Sequence, residues 1–486
     1  MKLRSFVQKY KGMPLPVKAS LWYTVCNVLL KGISLLSMPI FTRIMTPEQF
    51  GAYSVFQSWY SIFCIFGTLN LFHGIYPKGL LLYAEQRERF TSSLLGLSVT
   101  CTALLAVIYG VAPHFWSELL GISPFLMLFL FLEIFTLPAV EFWAAKERFD
   151  YRYKRYVFVS LLTVVLSLGF GIVAVSLVDT KLEARVVTDV LAKTLFGAAF
   201  FVWIFFKGKC FFDKALWKHA LTFNLPLIPH FLSTYVLNQS DRIMIKSMVG
   251  EAQAGFYSVA YTISTMMTLI TTAINNALMP FTYRALKSRD RSSVRNATRL
   301  LFLLMGALCA LTMAFAPEII TLFASTEYRD AIYVVPPVAA SVYFIFVYSM
   351  FSTVEYYYQK TGFIAVASCV AALLNLILNA VFIPEFGYHA AGYTTLVSYV
   401  CLAFLHYVFY RKILKKEFGD FWLYDMKMIL GVSIALLSLM ILMVATYHWI
   451  FVRYTVVTLL LIIAVIKRKA LIGSLKNLKK GEPVQK

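Results

Sequence analysis

Four polar side chains, Thr24, Asn27, Lys31 and Ser34, recur at steps of three and four inside a hydrophobic segment near residues 20–42. That spacing sets them on one face of a helix. An ionisable group at such depth costs a few kcal/mol and therefore faces a partner or a watery cavity. Lys31 thus has two readings: a lysine paired with a carboxylate that locks two helices, or a fixed positive charge lining a cavity for an anionic ligand. A second constellation, His230, Thr234, Asn238, Asp241 and Arg242 with Lys246 one turn on, lies in the segment near 220–248. Asp241 and Arg242 are neighbours in sequence, so on a helix they point about 100° apart and need not pair. The arginine offers a bidentate fork to phosphate oxygens, which a lysine cannot. His230 alone reads as a hydrogen-bonded bundle histidine. Near 252–280, Tyr261, Thr265, Thr268, Thr272 and Asn275 share one face. Their hydroxyls either pack helices closely or line water and sugar hydroxyls.

Further acids and amides fall in other apolar segments. Glu133 lies mid-segment and Glu355 near a segment end; each is a candidate coupling residue, because a carboxylate in a low-dielectric site can exchange protons. Asp189 and Lys193 stand four apart, where they neutralise each other structurally. Asn375 and Asn379 share a face, and their amide oxygens suit a hard cation. Six of the seven cysteines sit in apolar stretches, with no metal or disulfide spacing. There is no phosphate-binding loop, zinc spacing, elbow serine or metal-holding acid pair. The reading is of a protein that is not an enzyme and needs no cofactor beyond a coupling Na+ or H+.

The elements that carry these groups are long apolar stretches. Fourteen are legible, near residues 20–42, 50–77, 90–112, 119–144, 153–178, 184–206, 220–248, 252–280, 296–317, 331–357, 363–383, 391–410, 428–446 and 449–467. Most reach the roughly 20 residues a helix needs to cross a bilayer. The fold class expected is an all-α polytopic membrane protein; the dyad alternation of a membrane barrel is absent. A chain that is 60% hydrophobic and 14% charged, with mean hydropathy +0.72, is no soluble globule. Thirty-six of its 45 lysines and arginines fall at the two ends and in every second gap. Short cytoplasmic loops keep such residues, so both termini are placed in the cytoplasm. The net charge of +21 is then explained by loops facing anionic membrane lipids, and no nucleic-acid partner is implied. The basic start has no cleavage site behind a short apolar core, so the first segment reads as a retained anchor.

The halves repeat weakly. Gly51-Ala52-Tyr53-Ser54-Val55 recurs as Gly255-Phe256-Tyr257-Ser258-Val259, and Ser61 and Thr68 recur as Thr265 and Thr272. Two six-helix units of the same orientation plus a final pair account for fourteen segments, a parallel repeat whose substrate site would lie at the repeat interface. The divisions expected are a cytoplasmic basic N-terminus (1–17), an N-lobe (18–206), a C-lobe (219–410), a terminal helix pair (427–467) and a basic tail (468–486).

Three stretches together carry a family resemblance. Residues 18–55, KASLWYTVCNVLLKGISLLSMPIFTRIMTPEQFGAYSV, residues 241–261, DRIMIKSMVGEAQAGFYSVAY, and residues 375–399, NLILNAVFIPEFGYHAAGYTTLVSY, resemble polysaccharide flippases of the Wzx type. That group is part of the superfamily that holds multidrug (MATE) extruders and the lipid II flippase. The resemblance implies two six-helix lobes around a central cavity in the bacterial cytoplasmic membrane. It implies a lipid-linked oligosaccharide, carried on undecaprenyl pyrophosphate, as substrate, and glycan polymerase or export machinery as partners. It puts Lys31, Arg43, Arg242 and Lys246 in a cationic cavity. It also implies a sodium site from Asn375, Asn379 and Thr394 with Asp241 or Asn238, although Asn379 stands where an acid is expected. On this reading Lys31 and Arg242 contact pyrophosphate, the hydroxyls of Thr265, Thr268 and Thr272 contact sugar, and Asn27 is a further substrate-binding residue. The competing readings are a drug or metabolite exporter of the same fold and a membrane-embedded glycan polymerase or ligase. The first would favour cavity carboxylates, and the second would need a larger external loop than the one around 318–330.

Overall fold

The computed structural model describes residues 12–288, 291–419 and 422–466. Most of the expected basic N-terminus and the whole 468–486 tail lie outside the described residues. Among the described residues the structure is helical, without strands. Eleven helices among those residues are long and apolar enough to cross a membrane, including Leu15–Ile44, Pro124–Phe149 and Met426–Thr446. The other three expected segments are present as helices of different character. Pro47–Thr68 is diluted by Gln57, Ser58, Tyr60 and Ser61, 252–280 is broken in two, and Ile450–Ile466 is short. The protein is a multi-pass membrane protein.

The chain divides into two compact units, Met1–Tyr235 and Val236–Lys486. In the first, α1 (Leu15–Ile44), α2 (Pro47–Thr68), α3 (Ile75–Leu82), α4 (Arg87–Val111), α5 (Pro113–Leu120), α6 (Pro124–Phe149), α7 (Tyr153–Leu177), α8 (Lys181–Gly208) and α9 (Lys214–Asn224) follow in order. α1 packs against α7, and α8 lies between α6 and α7. The start of α2 is fixed by a reciprocal cap: Thr46 Oγ1 accepts from Gln49 N while Gln49 Oε1 accepts from Thr46 N, with Pro47 pre-set for the first turn.

The single segment expected over 50–77 is broken. α2 stops where Leu69 and Asn70 turn left-handed, at φ 48° and 49°. Asn224, fully buried at the end of α9, satisfies the break, donating to the Leu69 carbonyl at 2.8 Å and accepting from the Ile75 amide at 3.0 Å. A β-carbon on Gly74 would lie 2.4 Å from that side chain, so glycine is required there.

The second unit contains most of α10 (Ile228–Met248), then α11 (Glu251–Thr265), α12 (Thr268–Ser288), α13 (Arg291–Ala314), α14 (Ala316–Phe323), α15 (Val335–Tyr357), α16 (Thr361–Phe386), α17 (His389–Phe418), α18 (Met426–Thr446) and α19 (Ile450–Ile466). α15 is the core element, packing on α13, α17 and α18. The segment expected over 252–280 is interrupted at Met266–Met267. There Thr265 and Thr268 hydroxyls donate to the carbonyls of Tyr261 and Thr265, and Leu269 and Ile270 bond three residues back rather than four. Hydroxyls that back-bond in this way compete with the helical ladder and bend it.

Candidate functional site

In the first unit, Thr24, Asn27, Lys31 and Ser34 are all exposed along α1. Of the exposed apolar residues of the same helix, Val25, Leu29 and Leu36 lie nearly opposite this stripe and Leu21 and Val28 flank it at 3.6 residues per turn. Lys31 makes no hydrogen bond or ion pair among the described residues, so the paired-lysine reading finds no support within its unit. Arg43, also exposed, donates to the carbonyl of Pro39 at 2.8 Å near the helix end.

Deeper in this unit α2, α6, α7 and α8 assemble an ionic cluster. Lys193 bridges Glu133 Oε1 at 2.7 Å and Asp189 Oδ2 at 2.9 Å. Ser167, Tyr53 and Gln57 also donate to Asp189, at 2.5, 3.2 and 3.3 Å. The Arg185 guanidinium lies over the rings of Phe41 and Tyr53. The structural pair expected from Asp189 and Lys193 is present. Its link to Glu133 was not legible, because the two residues are 60 positions apart.

In the second unit α10, α11, α16 and α17 bring together Asp241, Asn375, Asn379 and Thr394, all buried. Asn379 Nδ2 donates to Asp241 Oδ1 at 2.6 Å and to Asn375 Oδ1 at 3.3 Å. Thr394 donates to the Asn379 amide oxygen. Residues that the sequence does not place at this site join the set: Tyr257 donates to Asp241, Thr395 does so at 2.8 Å, and Ser240 donates to Asn375 Oδ1 at 3.3 Å. Asn238 stands beside the cluster, its amide oxygen accepting from Tyr261 and Tyr399 at 2.9 and 3.2 Å. The only signal for Tyr257 was its place in the repeated pentapeptide. The donor set, one carboxylate among amide and hydroxyl oxygens, fits a hard monovalent cation. The Asn375 Nδ2 group is buried without a hydrogen-bond partner. Among the described residues no group of three or more His, Cys, Asp or Glu side chains is placed to hold a metal ion.

Other expected site residues are engaged differently. Arg242 is buried, with Nε on Ser258 at 3.2 Å, Nη1 on the Asn238 carbonyl and Gln239, and its plane over Tyr261. Lys246 pairs with Glu251 at 2.8 Å. Glu355 receives His406 Nδ1 on both oxygens, at 3.0 and 2.9 Å, in a buried pair. Thr265, Thr268 and Thr272 each donate to a carbonyl of their own segment. Their hydroxyl protons are directed to the backbone, which leaves the oxygens as acceptors.

With this geometry in view, the chain matches the model of the polysaccharide biosynthesis protein family over residues 17–286 and that of the MatE family over residues 226–381. It belongs to the polysaccharide biosynthesis protein family. A Haemophilus influenzae protein of the Lsg locus is 22% identical over 380 residues, 74% of this chain and 88% of that protein. The fold is shared with the lipid II flippase MurJ in an inward closed conformation, with TM-score 0.68, 13% identity and coverage of 93% of this chain and 99% of that one. An inward-facing multidrug resistance MATE transporter of the MOP superfamily matches with TM-score 0.60 and 14% identity, over 80% of this chain and 96% of that one. These solved proteins are named as a flippase and a transporter, and neither as an enzyme.

Proposed function

We propose that the protein flips an undecaprenyl-pyrophosphate-linked oligosaccharide from the inner to the outer leaflet of the bacterial cytoplasmic membrane by alternating access. Its lobes would be 18–206 and 219–410, with both termini in the cytoplasm. The family name and the MurJ-like fold support a lipid-linked glycan as cargo. The observation that carries the reading is Lys31. It is exposed and unpartnered near the middle of a 30-residue helix, in line with Thr24, Asn27 and Ser34. Such a face is unfavourable against hydrocarbon but suits water and a pyrophosphate. A charged head group cannot cross lipid unaided, because desolvating it costs far more than thermal energy. Fixed cations along a wet path lower that barrier while the prenyl tail stays in lipid. Lys31 and Arg43 are the exposed cations of α1; Arg242 and Lys246, engaged within the second unit, contribute positive potential. The Asp241 cluster would hold the coupling ion, and its single carboxylate favours Na+ over a divalent ion.

The test is made in cells depleted of the protein and complemented with wild type or Lys31→Gln. Lipid-linked glycans are extracted after treating oriented vesicles with a membrane-impermeant glycan-modifying enzyme. Complete repeat units should accumulate on the cytoplasmic face in depleted and Lys31→Gln cells, with the variant folded and membrane-inserted. Normal flipping by Lys31→Gln would overturn the role of that residue. Unchanged lipid-linked glycans on depletion would point instead to export of small solutes, and unpolymerised units on the outer face to a polymerase.

A further inference from the structure

The first unit holds a cavity of about 220 Å³ lined by Tyr60, Glu133, Glu141, Thr163, Lys193 and Phe196 among others. It is below the roughly 300–1,000 Å³ of drug-sized sites and equals about seven waters at roughly 30 Å³ each. It therefore has room for one small ring rather than a whole oligosaccharide. Its chemistry is mixed. Lys193 brings an ammonium already shared between two acids. Glu133 is buried, with Oε1 on Lys193 and Oε2 without a hydrogen-bond partner. Glu141, eight residues and about 12 Å further along the same helix, forms no ion pair among the described residues. Between these groups the walls are aromatic and aliphatic, from Tyr60, Phe196, Leu137 and Val140.

Charge decides which ligand this suits. An anion would meet two carboxylates, and a cation would meet the ammonium of Lys193. A neutral ring with hydroxyls around its edge and apolar faces meets acceptors, a donor and aromatic walls together. We propose that this cavity binds a single neutral pyranose of the transported glycan, its hydroxyls donating to Glu133 and Glu141 and its face lying against Tyr60 or Phe196. The inference rests on the flippase reading and places a sugar contact in the first unit, apart from the α11–α12 hydroxyls.

The full chain, purified in nanodiscs, is examined by saturation-transfer NMR with methyl glucoside, methyl galactoside and N-acetylglucosamine as probes. Tetramethylammonium chloride serves as the cationic comparison. Two variants address the cavity: Glu141→Gln, which leaves the Lys193 cluster intact, and Thr163→Phe, which fills space without changing charge. At least one pyranose should bind wild type, bind Glu141→Gln about tenfold more weakly, as expected for a lost hydrogen bond to a charged group, and fail to bind Thr163→Phe. Absence of pyranose binding to wild type would overturn the proposal. So would equal binding by wild type and both variants, or binding of tetramethylammonium displaced by Thr163→Phe. The leaflet assay on the same proteins separates the two readings. If wild type flips lipid-linked glycan while the cavity variants bind sugar normally, the cavity assignment falls and transport stands. If wild type flips nothing, the transport reading itself falls.

Discussion

Asp189 and Asp241 are buried aspartates of the two units, and each accepts a hydrogen bond from one member of a repeat-related tyrosine pair, Tyr53 and Tyr257. There the likeness stops. Asp189 is answered by charge: Lys193 bonds it directly and binds Glu133 as well. Asp241 is answered by neutral groups, Tyr257, Thr395 and Asn379, while its neighbour Arg242 turns to Ser258, Gln239 and the face of Tyr261. Both carboxylates are buried, where an uncompensated charge is costly. Lys193 thus ties the first unit's cluster together by charge, whereas the second unit's cluster holds Asp241 through neutral hydrogen-bond donors. The two aspartates differ in the kind of partner that holds them, and the proposed coupling role belongs to the second.

The comparison breaks most readily at Lys193. Lys193→Met strands two buried acids, and removing one partner of such a pair costs about 3–5 kcal/mol. A large fall in melting temperature of the purified protein is the expected outcome. Adding Glu133→Gln and Asp189→Asn to that variant should recover most of it, and failure to recover would show that the cluster is not held by charge balance. Next come the repeat-related tyrosines. Tyr257→Phe should cost roughly 1.5–3 kcal/mol, as for a hydrogen bond to a charged group. Tyr53→Phe should cost less, since Asp189 keeps Lys193, Ser167 and Gln57; equal losses would erase the distinction.

Sodium sharpens the same contrast. Replacing choline chloride with sodium chloride should raise the wild-type melting temperature, by about 1.4 kcal/mol of stability at ten times the dissociation constant. Asp241→Asn should lose that increment, while Glu355→Gln should keep it. The smallest effect belongs to Asp425, which caps α18 outside the membrane span. Partial burial pushes its carboxyl up, but the Arg299 hydrogen bond, the Met428 amide and the Arg299 and Arg295 charges outweigh this and hold it below its ordinary 3.8. Its folded value is depressed, so its contribution is present above about pH 4 and is lost as pH falls through the folded value. Thermal melts between pH 6 and 3 should show wild type losing its advantage over Asp425→Asn toward the acid end.

The fold was largely legible, because lipid imposes length and hydropathy on every crossing segment and periodicity marked the α1 stripe. The helix breaks were not. Apolar composition runs unchanged across Leu69–Asn70 and Met266–Met267, and what bends the chain there is backbone conformation and hydroxyl back-bonding. The Asp241 grouping was reachable only through family resemblance, since its members lie as much as 154 residues apart. Thr395 carries no sequence signal beside Thr394, and Glu133 gave no hint of Lys193. Arg242 and Lys246 were read as available cations because a sequence lists charges without their partners. Asn238, Gln239 and Glu251 claim them in the folded unit.

The break in the second apolar segment has a consequence for biogenesis. Its buried carbonyl at Leu69 and amide at Ile75, left out of the helical ladder, are satisfied by a side chain that follows them by 155 and 149 residues. At synthesis rates of roughly 5–20 residues per second, that side chain leaves the ribosome about 8–30 s later. For that interval the kink is an unfinished structure, and the insertion machinery or bound water must shield it. The first unit reaches its native form only when translation passes residue 224, so its assembly in the membrane is timed by the segment that leads into the second.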